Sequence, residues 1–393
     1  MSELELIATA TFGLEAVVAR EIKELGYDRV VVENGRIIFR ADARAVCRAN
    51  LWLRSADRVL IKIGSFKAFS FEELFQQTKA LPWAEWLPAD ANFPVQGKSV
   101  NSKLHSVPDC QAIVKKAIVE NLKGKYRKEW FPEDGPKYAV EVALLKDEVT
   151  LTLDTSGPGL HKRGYRKLSS EAPLKETLAA AMINLAHWFP DRVLMDPFCG
   201  SGTIPIEAAL LGLNIAPGIK RSFAAEQWPA VPEKLWQEAR EEALSAVKTD
   251  CNLRIIGTDI DEKVLSMARY HAKLAEVENQ IHFQKLSLSN VKTKSKYGYI
   301  ICNPPYGERL GEAKEVEKLY REMGQVFKTL DTWSYFILTA NPRFEKLFGT
   351  PATKRRKLYN GRIECQYYQY IGPRPPRRQE PALATAQMAA EES

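Results

Sequence analysis

The chain has 393 residues, more than one compact core usually spans, so two or three domains are expected. Its longest apolar runs, such as Tyr299–Cys302 and Tyr335–Ala340, are far too short to cross a membrane, and Met1-Ser-Glu-Leu-Glu5 has neither the basic head nor the apolar core of a secretory signal, so a soluble cytoplasmic protein is expected. The net charge of +7 arises wholly beyond residue 160, in the clusters His161–Lys167, Lys292–Lys296 and Lys354–Lys357, which suit nucleic-acid phosphates although a charge run is usually a solvated face.

The amino-terminal residues read as a small α/β unit. Leu4–Thr9 alternates like a strand, residues 13–25 repeat apolar side chains at helical spacing, and Gly26 stops that helix. Arg29–Glu33 and Arg36–Arg40 pair across Asn34-Gly35, a strong hairpin signal. Ala43–Trp52 is expected to be helical and Asp57–Ile63 a strand; Ser70 caps a helix to Lys79, with Glu73 completing a capping box.

Two short extended pieces follow, Phe93–Gln96 and Ser99–Asn101, then an amphipathic helix over Asp109–Lys123 exposing Lys115, Lys116 and Lys123. The strands Lys137–Leu144 and Glu148–Asp154 form a hairpin at Lys146-Asp147. Gly157-Pro-Gly159 then breaks the chain, marking a domain boundary there or slightly beyond, near Arg166.

Beyond it strands and helices alternate, as a parallel sheet requires. Leu174, Leu178, Ala181, Met182, Leu185 and Trp188 line a helix; Arg192–Met195 is a strand leading into Asp196-Pro-Phe-Cys-Gly-Ser-Gly-Thr203, and a helix leaves at Ile204. Residues 212–250, with a helix over 232–248, read as an insertion. Strands Leu253–Thr258, Ile281–Gln284, Tyr297–Cys302 and Ser334–Thr339, with helices over 261–275 and 316–330, complete five parallel strands. A hairpin around Asn360-Gly361 follows, and the tail from Pro373 is expected to be disordered.

Three loops leave the carboxyl ends of these strands, the edge where such sheets bind ligands. In the first, Gly200 and Gly202 let the backbone turn sharply and a ligand approach it closely. The third glycine of a dinucleotide fingerprint is absent, and Asp196 argues for a ligand with a positive group. In the second, Asp259 can accept both hydroxyls of a ribose, or cap the helix that follows.

The third loop, Asn303-Pro-Pro-Tyr306, is the most specific feature. Its prolines hold Asn303 extended, so a side-chain amide oxygen and a main-chain carbonyl can face one point. Two acceptors aimed at one place suit an NH2 group, with Tyr306 stacked on the ring that bears it. A methyl sulfonium over the glycine turn would make the reaction an in-line methyl transfer to nitrogen. Cys302 could suggest covalent pyrimidine chemistry, but the neighbouring Asn303 and prolines fit amine chemistry better. The six cysteines contain no Cys-x-x-Cys pair and the five histidines no ligand spacing, so no metal is expected.

These motifs, together with Gly307-Glu-Arg-Leu310 and Leu160-His-Lys-Arg-Gly-Tyr-Arg166, resemble the THUMP-domain S-adenosylmethionine-dependent methyltransferases that modify guanine N2 in bacterial large-subunit ribosomal RNA. The resemblance covers nearly everything except the tail. It implies a ferredoxin-like α/β unit over 1–45, an RNA-binding THUMP domain over 46–158, a Rossmann-like methyltransferase domain over 159–372 and a tail over 373–393. It implies S-adenosylmethionine as cofactor, held by Asp196, Phe198, Gly200 and Gly202, with Thr203 at its amino-carboxy end, Asp259 on the ribose, Ile260 beside the adenine, and Pro173 and Leu174 closing over it. Asn303, Pro304, Pro305 and Tyr306 become the catalytic loop, and ribosomal RNA the partner of a monomer or weak homodimer. One departure concerns the third strand: Gln284–Ser289 offers hydroxyls and an amide where many relatives place an acidic contact to the adenine amine. Methylation of adenine N6 in DNA and a non-catalytic ribosome assembly factor are the rival readings.

Overall fold

The computed structural model describes residues 3–168, 174–307 and 312–376. Two seven-stranded sheets organise them.

The first sheet begins with β1 (Leu4–Thr9), α1 (Glu15–Glu24), the hairpin β2 (Val30–Glu33) and β3 (Arg36–Ala41), α2 (Ala43–Trp52) and β4 (Arg58–Lys67). It continues through α3 (Phe71–Lys79), β5 (Val95–Val100), α4 (Val107–Tyr126), β6 (Val140–Leu145) and β7 (Glu148–Asp154). The strand order is β2-β3-β1-β4-β7-β6-β5. Strand β4 pairs with β1 on one side and β7 on the other, so the amino-terminal unit and the unit after it share one continuous sheet.

Local signals explain most of these elements. Ser70 Oγ accepts from the Glu73 amide at 3.2 Å, while the Glu73 carboxylate reaches past the cap to the Phe69 amide at 2.7 Å. The two extended pieces near 95 are one strand, because Gly97 does not turn the chain. A Cβ there would lie 3.0 Å from Val107 and 3.1 Å from Gln111, so the glycine instead lets α4 lie against the sheet. On α4 only Lys116 of the three lysines expected to be exposed is so. Lys115 pairs with Glu133 and sits 3.5 Å from the centre of the Phe93 ring, and Lys123 is tied to Glu120 and Glu129.

The second half contains α5 (Glu176–Ala186), β8 (Leu194–Asp196), α6 (Thr203–Gly212), α7 (Glu233–Ser245), β9 (Ile255–Asp259), α8 (Glu262–Leu274) and β10 (Ile281–Lys285). It ends with β11 (Tyr299–Cys302), α9 (Glu312–Lys328), β12 (Ser334–Thr339), α10 (Phe344–Phe348) and the hairpin β13 (Lys354–Asn360) and β14 (Ile363–Tyr370). The order is β10-β9-β8-β11-β12-β14-β13; the first five strands are parallel and β14 runs antiparallel to β12. Alternate residues of β11 enter opposite cores: Tyr299 and Ile301 meet α5 and α6, whereas Ile300 and Cys302 meet α9 and α10. The sequence carries no periodic signal for the five-residue α10, which is held by Phe344 and Phe348 packing on Tyr320, Phe327 and Tyr370. The tail beyond residue 376 lies outside the described residues.

The insertion joins the two halves. Phe223, Trp228 and Trp236 belong to the core of the first sheet, and Arg48 on α2 grips Glu242 on α7 with two nitrogens. Buried polar groups reinforce the junction. Glu21 accepts from the amides of Arg54 and Ser55, the Ser55 hydroxyl and Asn184 on α5, while Arg163 and Tyr165 share Glu207 on α6. The Gly157-Pro-Gly159 break is clamped rather than loose, because Arg221 donates to the carbonyls of Ser156, Pro158, Gly159 and Lys162.

Candidate active site

Strands β8, β9 and β11 are neighbours with their carboxyl ends on one edge, so the glycine turn, Asp259 and Asn303 emerge side by side. The turn is tied to the second loop: the Cys199 amide donates to the Thr258 carbonyl and the Gly200 amide to Asp259 Oδ2, both at 3.0 Å. Its glycines do different work. Gly200 (φ +50°) would point a Cβ into open space, whereas a Cβ on Gly202 (φ +85°) would lie 2.9 Å from Ala268 and 3.1 Å from Phe283. Gly200 therefore leaves room above the turn, and Gly202 lets the turn pack on α8.

Asp259 does not cap α8; Asp261 does, accepting from the Lys263 amide at 2.8 Å. Asp259 instead takes the Gly200 and Asp261 amides. Next to it Ile260 is 71% exposed, an apolar surface placed beside the turn. Asp196 is 1% exposed, and its carboxylate accepts from the Phe198 amide at 3.1 Å. Burial pushes its acid well above the usual carboxylate range, Asp259 adds to the rise, and the Phe198 hydrogen bond opposes it. A buried carboxylate with so little compensation is suited to a cationic ligand.

Thr203 opens α6, and its hydroxyl accepts from Arg166 at 2.5 Å. Arg166 also donates to the Leu174 carbonyl at 2.9 Å, bringing Leu174 to the turn. Pro173, Glu308, Arg309 and Leu310 lie outside the described residues.

On the third loop the Tyr306 hydroxyl donates to Asn303 Oδ1 and lies 3.7 Å from Cys365 Sγ, and its partly buried ring packs against the core shared by α5, α6 and β14. Tyr320, buried on α9, donates to the Pro305 carbonyl at 2.7 Å and meets the Thr339 hydroxyl at 2.9 Å. Burial pushes its phenol up to about 12. Cys302 is fully buried with its thiol raised well above the usual value by burial, which keeps it protonated and unfit as a nucleophile.

The motif-based reading did not single out three residues. Tyr320 hides in the apolar stripe Val316, Tyr320, Met323 and Phe327, where nothing distinguishes its hydroxyl. His271, fully buried, accepts from the Leu168 amide through Nε2 at 3.3 Å and donates through Nδ1 to the Ser201 carbonyl at 3.2 Å, bracing the turn. Arg166 looked like one more member of a basic cluster.

That cluster is largely internal: Arg163 is buried on Glu207 and Arg166 is engaged at the turn, leaving Lys162 and Lys167 exposed. Lys292, Lys294 and Lys296 are exposed, but Ser295 and Tyr297 bond to Trp333 and Thr332 just before β12, at the edge opposite Asn303. In the third cluster Arg355 pairs with Glu345 and Lys357 with Glu364.

Fold and site together define a Rossmann-like methyltransferase preceded by ferredoxin-like and THUMP units. The RMKL-like methyltransferase domain family matches residues 163–369, the RlmL ferredoxin-like domain residues 5–60 and the THUMP domain residues 68–154. The chain belongs to the RMKL-like methyltransferase family. It is 52% identical to YpsC of Bacillus subtilis, a protein named as a candidate RNA methyltransferase, over 97% of this chain and 99% of that one. It is 34% identical to the ribosomal RNA large subunit methyltransferase K/L of Legionella pneumophila, over 92% of this chain and 52% of that longer protein. Among solved structures, SMU.472, named as a candidate methyltransferase and complexed with SAH, matches with 47% identity and a TM-score of 0.91, over 96% of this chain and 100% of that one. A Listeria monocytogenes structure, named by prediction as an N6-adenine-specific DNA methylase, matches with 53% identity and a TM-score of 0.91, over 95% of this chain and 97% of that one. Among the described residues no helix is long and apolar enough to cross a membrane, and no cluster of His, Cys, Asp and Glu could hold a metal.

Proposed function

We propose that the protein methylates the exocyclic N2 amine of a guanine in large-subunit ribosomal RNA, with S-adenosylmethionine as donor, in the cytoplasm. The observation that carries this reading is the Asn303–Tyr306 loop at the end of β11, beside the glycine turn on β8, with its backbone pinned by Tyr320. The room over Gly200, the exposed Ile260 and the buried Asp196 fit the cofactor, as does the SAH bound to SMU.472. When bound, S-adenosylmethionine supplies an electrophilic methyl group on a sulfonium. Asn303 Oδ1 and the Pro304 carbonyl accept the two N–H bonds of the target amine and orient its lone pair, and Tyr306 stacks on the base once its hydroxyl leaves Asn303. Cys302 takes no part. Asp259 holds the ribose, Ile260 flanks the adenine, and Phe198, Gly202, Thr203, Leu174 and Pro173 complete the pocket. Units 1–45, 46–158 and 159–372 divide the labour, the second capturing RNA. The family match to a THUMP domain and the name of the Legionella relative support RNA and the large subunit.

The name of the Listeria protein favours adenine N6 in DNA as the second reading, since either base offers an amine to the same acceptors. Tritiated methyl from S-adenosylmethionine should enter stripped ribosomal RNA, and mass mapping should place it on guanine N2; label in DNA alone would sink the proposal. Asn303→Ala should abolish transfer while S-adenosylhomocysteine still binds.

A further inference from the structure

The glycine turn has an acidic side and a basic side. Asp196 enters it from β8; where it leaves, Arg166 donates to the Thr203 hydroxyl, and no lysine or other arginine among the described residues hydrogen-bonds to residues 196–203. Neighbouring cations are committed elsewhere: Arg163 to Glu207 and to the carbonyls of Leu160 and Arg54, and Arg269 to Glu262 and the Phe283 carbonyl. Arg166 is not fully used. Its side chain is 16% exposed; Nη2 serves Thr203 and the Leu174 carbonyl, while Nε is ion-paired with Glu176 Oε1 at 3.4 Å but makes no hydrogen bond. Glu176 is 3% exposed, and its Oε2 is likewise without a partner. Glu176 pairs with the guanidinium only from the Nε side and without a hydrogen bond, so its donors are not exhausted and a second anion can be accepted on the side of the turn.

The first turn of α6 adds to this. The amides of its first residues have no partner inside the helix, Pro205 has none to offer, and the helix dipole places partial positive charge there. An anion beside Thr203 would meet the guanidinium, the hydroxyl and this helix end together. The methionine end of S-adenosylmethionine is a zwitterion, an ammonium and a carboxylate on one carbon. Asp196 suits the first and the Arg166 side of the turn the second.

We propose that Arg166 binds the carboxylate of the cofactor's methionine end, with the Thr203 hydroxyl and the first turn of α6 as co-donors, and so selects ligands carrying a free amino-acid group. This rests on the reading of the glycine turn as the cofactor site. The test is calorimetric and needs no turnover. S-adenosylhomocysteine carries the amino-acid end, and 5′-methylthioadenosine keeps the adenosine and sulfur but lacks it. Arg166→Gln should weaken S-adenosylhomocysteine roughly 10- to 100-fold, the range of one or two hydrogen bonds to a charged group, and leave methylthioadenosine unchanged. Equal loss for both ligands would mean that Arg166 only pins Leu174, and no loss for either would mean that it has no part; each overturns the proposal. If the glutamine variant loses its cooperative melting transition, Arg166→Lys is titrated with the same pair, and loss is again expected for S-adenosylhomocysteine alone. A native protein that binds neither ligand would instead refute the cofactor reading of the turn.

Discussion

The Tyr306 hydroxyl donates to Asn303 Oδ1, so the acceptor expected to receive the target amine is occupied by the side chain expected to stack on the base. Oδ1 has a second lone pair for the amine, but the Tyr306 ring is packed against the core, so turning it onto the base is expected to open this hydrogen bond. Tyr306→Phe keeps the ring and removes the competing donor, so kcat/KM on ribosomal RNA should hold or rise up to about fivefold, the worth of about 1 kcal/mol. Tyr306→Ala removes the stacking surface and should lower it by roughly 10- to 100-fold. A phenylalanine variant as poor as the alanine one would make the hydroxyl itself the functional group.

Tyr320 acts on the loop from below. Its hydroxyl joins the Pro305 carbonyl to Thr339, whose own oxygen accepts from the Asn341 amide, so the catalytic loop and the end of β12 share one buried hydrogen-bond chain. Tyr320→Phe should cost about 1–3 kcal/mol in urea melts by leaving buried acceptors unpaired. It should lower kcat roughly 10- to 100-fold through misplacement of Asn303, with S-adenosylhomocysteine affinity unchanged. Unchanged kcat with the stability loss alone would leave Tyr320 a core residue only.

The two tyrosines show where sequence stops being informative. Tyr306 stands out in the sequence because two prolines and an asparagine precede it in a pattern that has a chemical reason. Tyr320 occupies an apolar helical position, and the sequence pattern holds no sign that Pro305 comes to rest against its hydroxyl. The same limit applies to charge. Arg163 and Lys167 look alike in the cluster His161–Lys167, yet one is buried on Glu207 and the other exposed, a difference set by how α6 packs. The strands were readable because alternation and glycine turns are local; that β4 fuses two units into one sheet depends on long-range pairing.

Asp196 carries a stability cost that its expected ligand relieves. Its folded acid is raised by burial, so the folded state holds a proton more readily than the unfolded chain; stability from this group is present below the unfolded value near 3.8 and lost as pH rises through the folded one. Asp196→Asn removes the buried charge, so at neutral pH the variant should melt higher than the native protein while S-adenosylhomocysteine affinity falls at least tenfold. The gain in melting temperature should vanish near pH 3. A variant that melts lower at neutral pH would show that the carboxylate is structurally satisfied after all.

His161 and His271 titrate in the opposite sense. Burial lowers both, His161 to about 4 with Lys175, Lys162, Arg163 and Arg166 adding to the shift, and His271 with the Ser201 hydrogen bond opposing. The unfolded chain protonates near 6.5, so for His161 it binds more protons than the folded one between there and about 4, and that contribution is full above 6.5 and is lost as pH falls through this window; His271 acts in the same direction. Raised carboxyls such as Glu21 and Asp57 push the other way, so the total slope does not isolate the histidines. The difference does: urea melts of the native protein and of His161→Gln at pH 7.5, 6.0 and 5.0 should diverge, the variant losing less stability on acidification. Parallel curves would place His161 in water, outside the influence of the four cations around it.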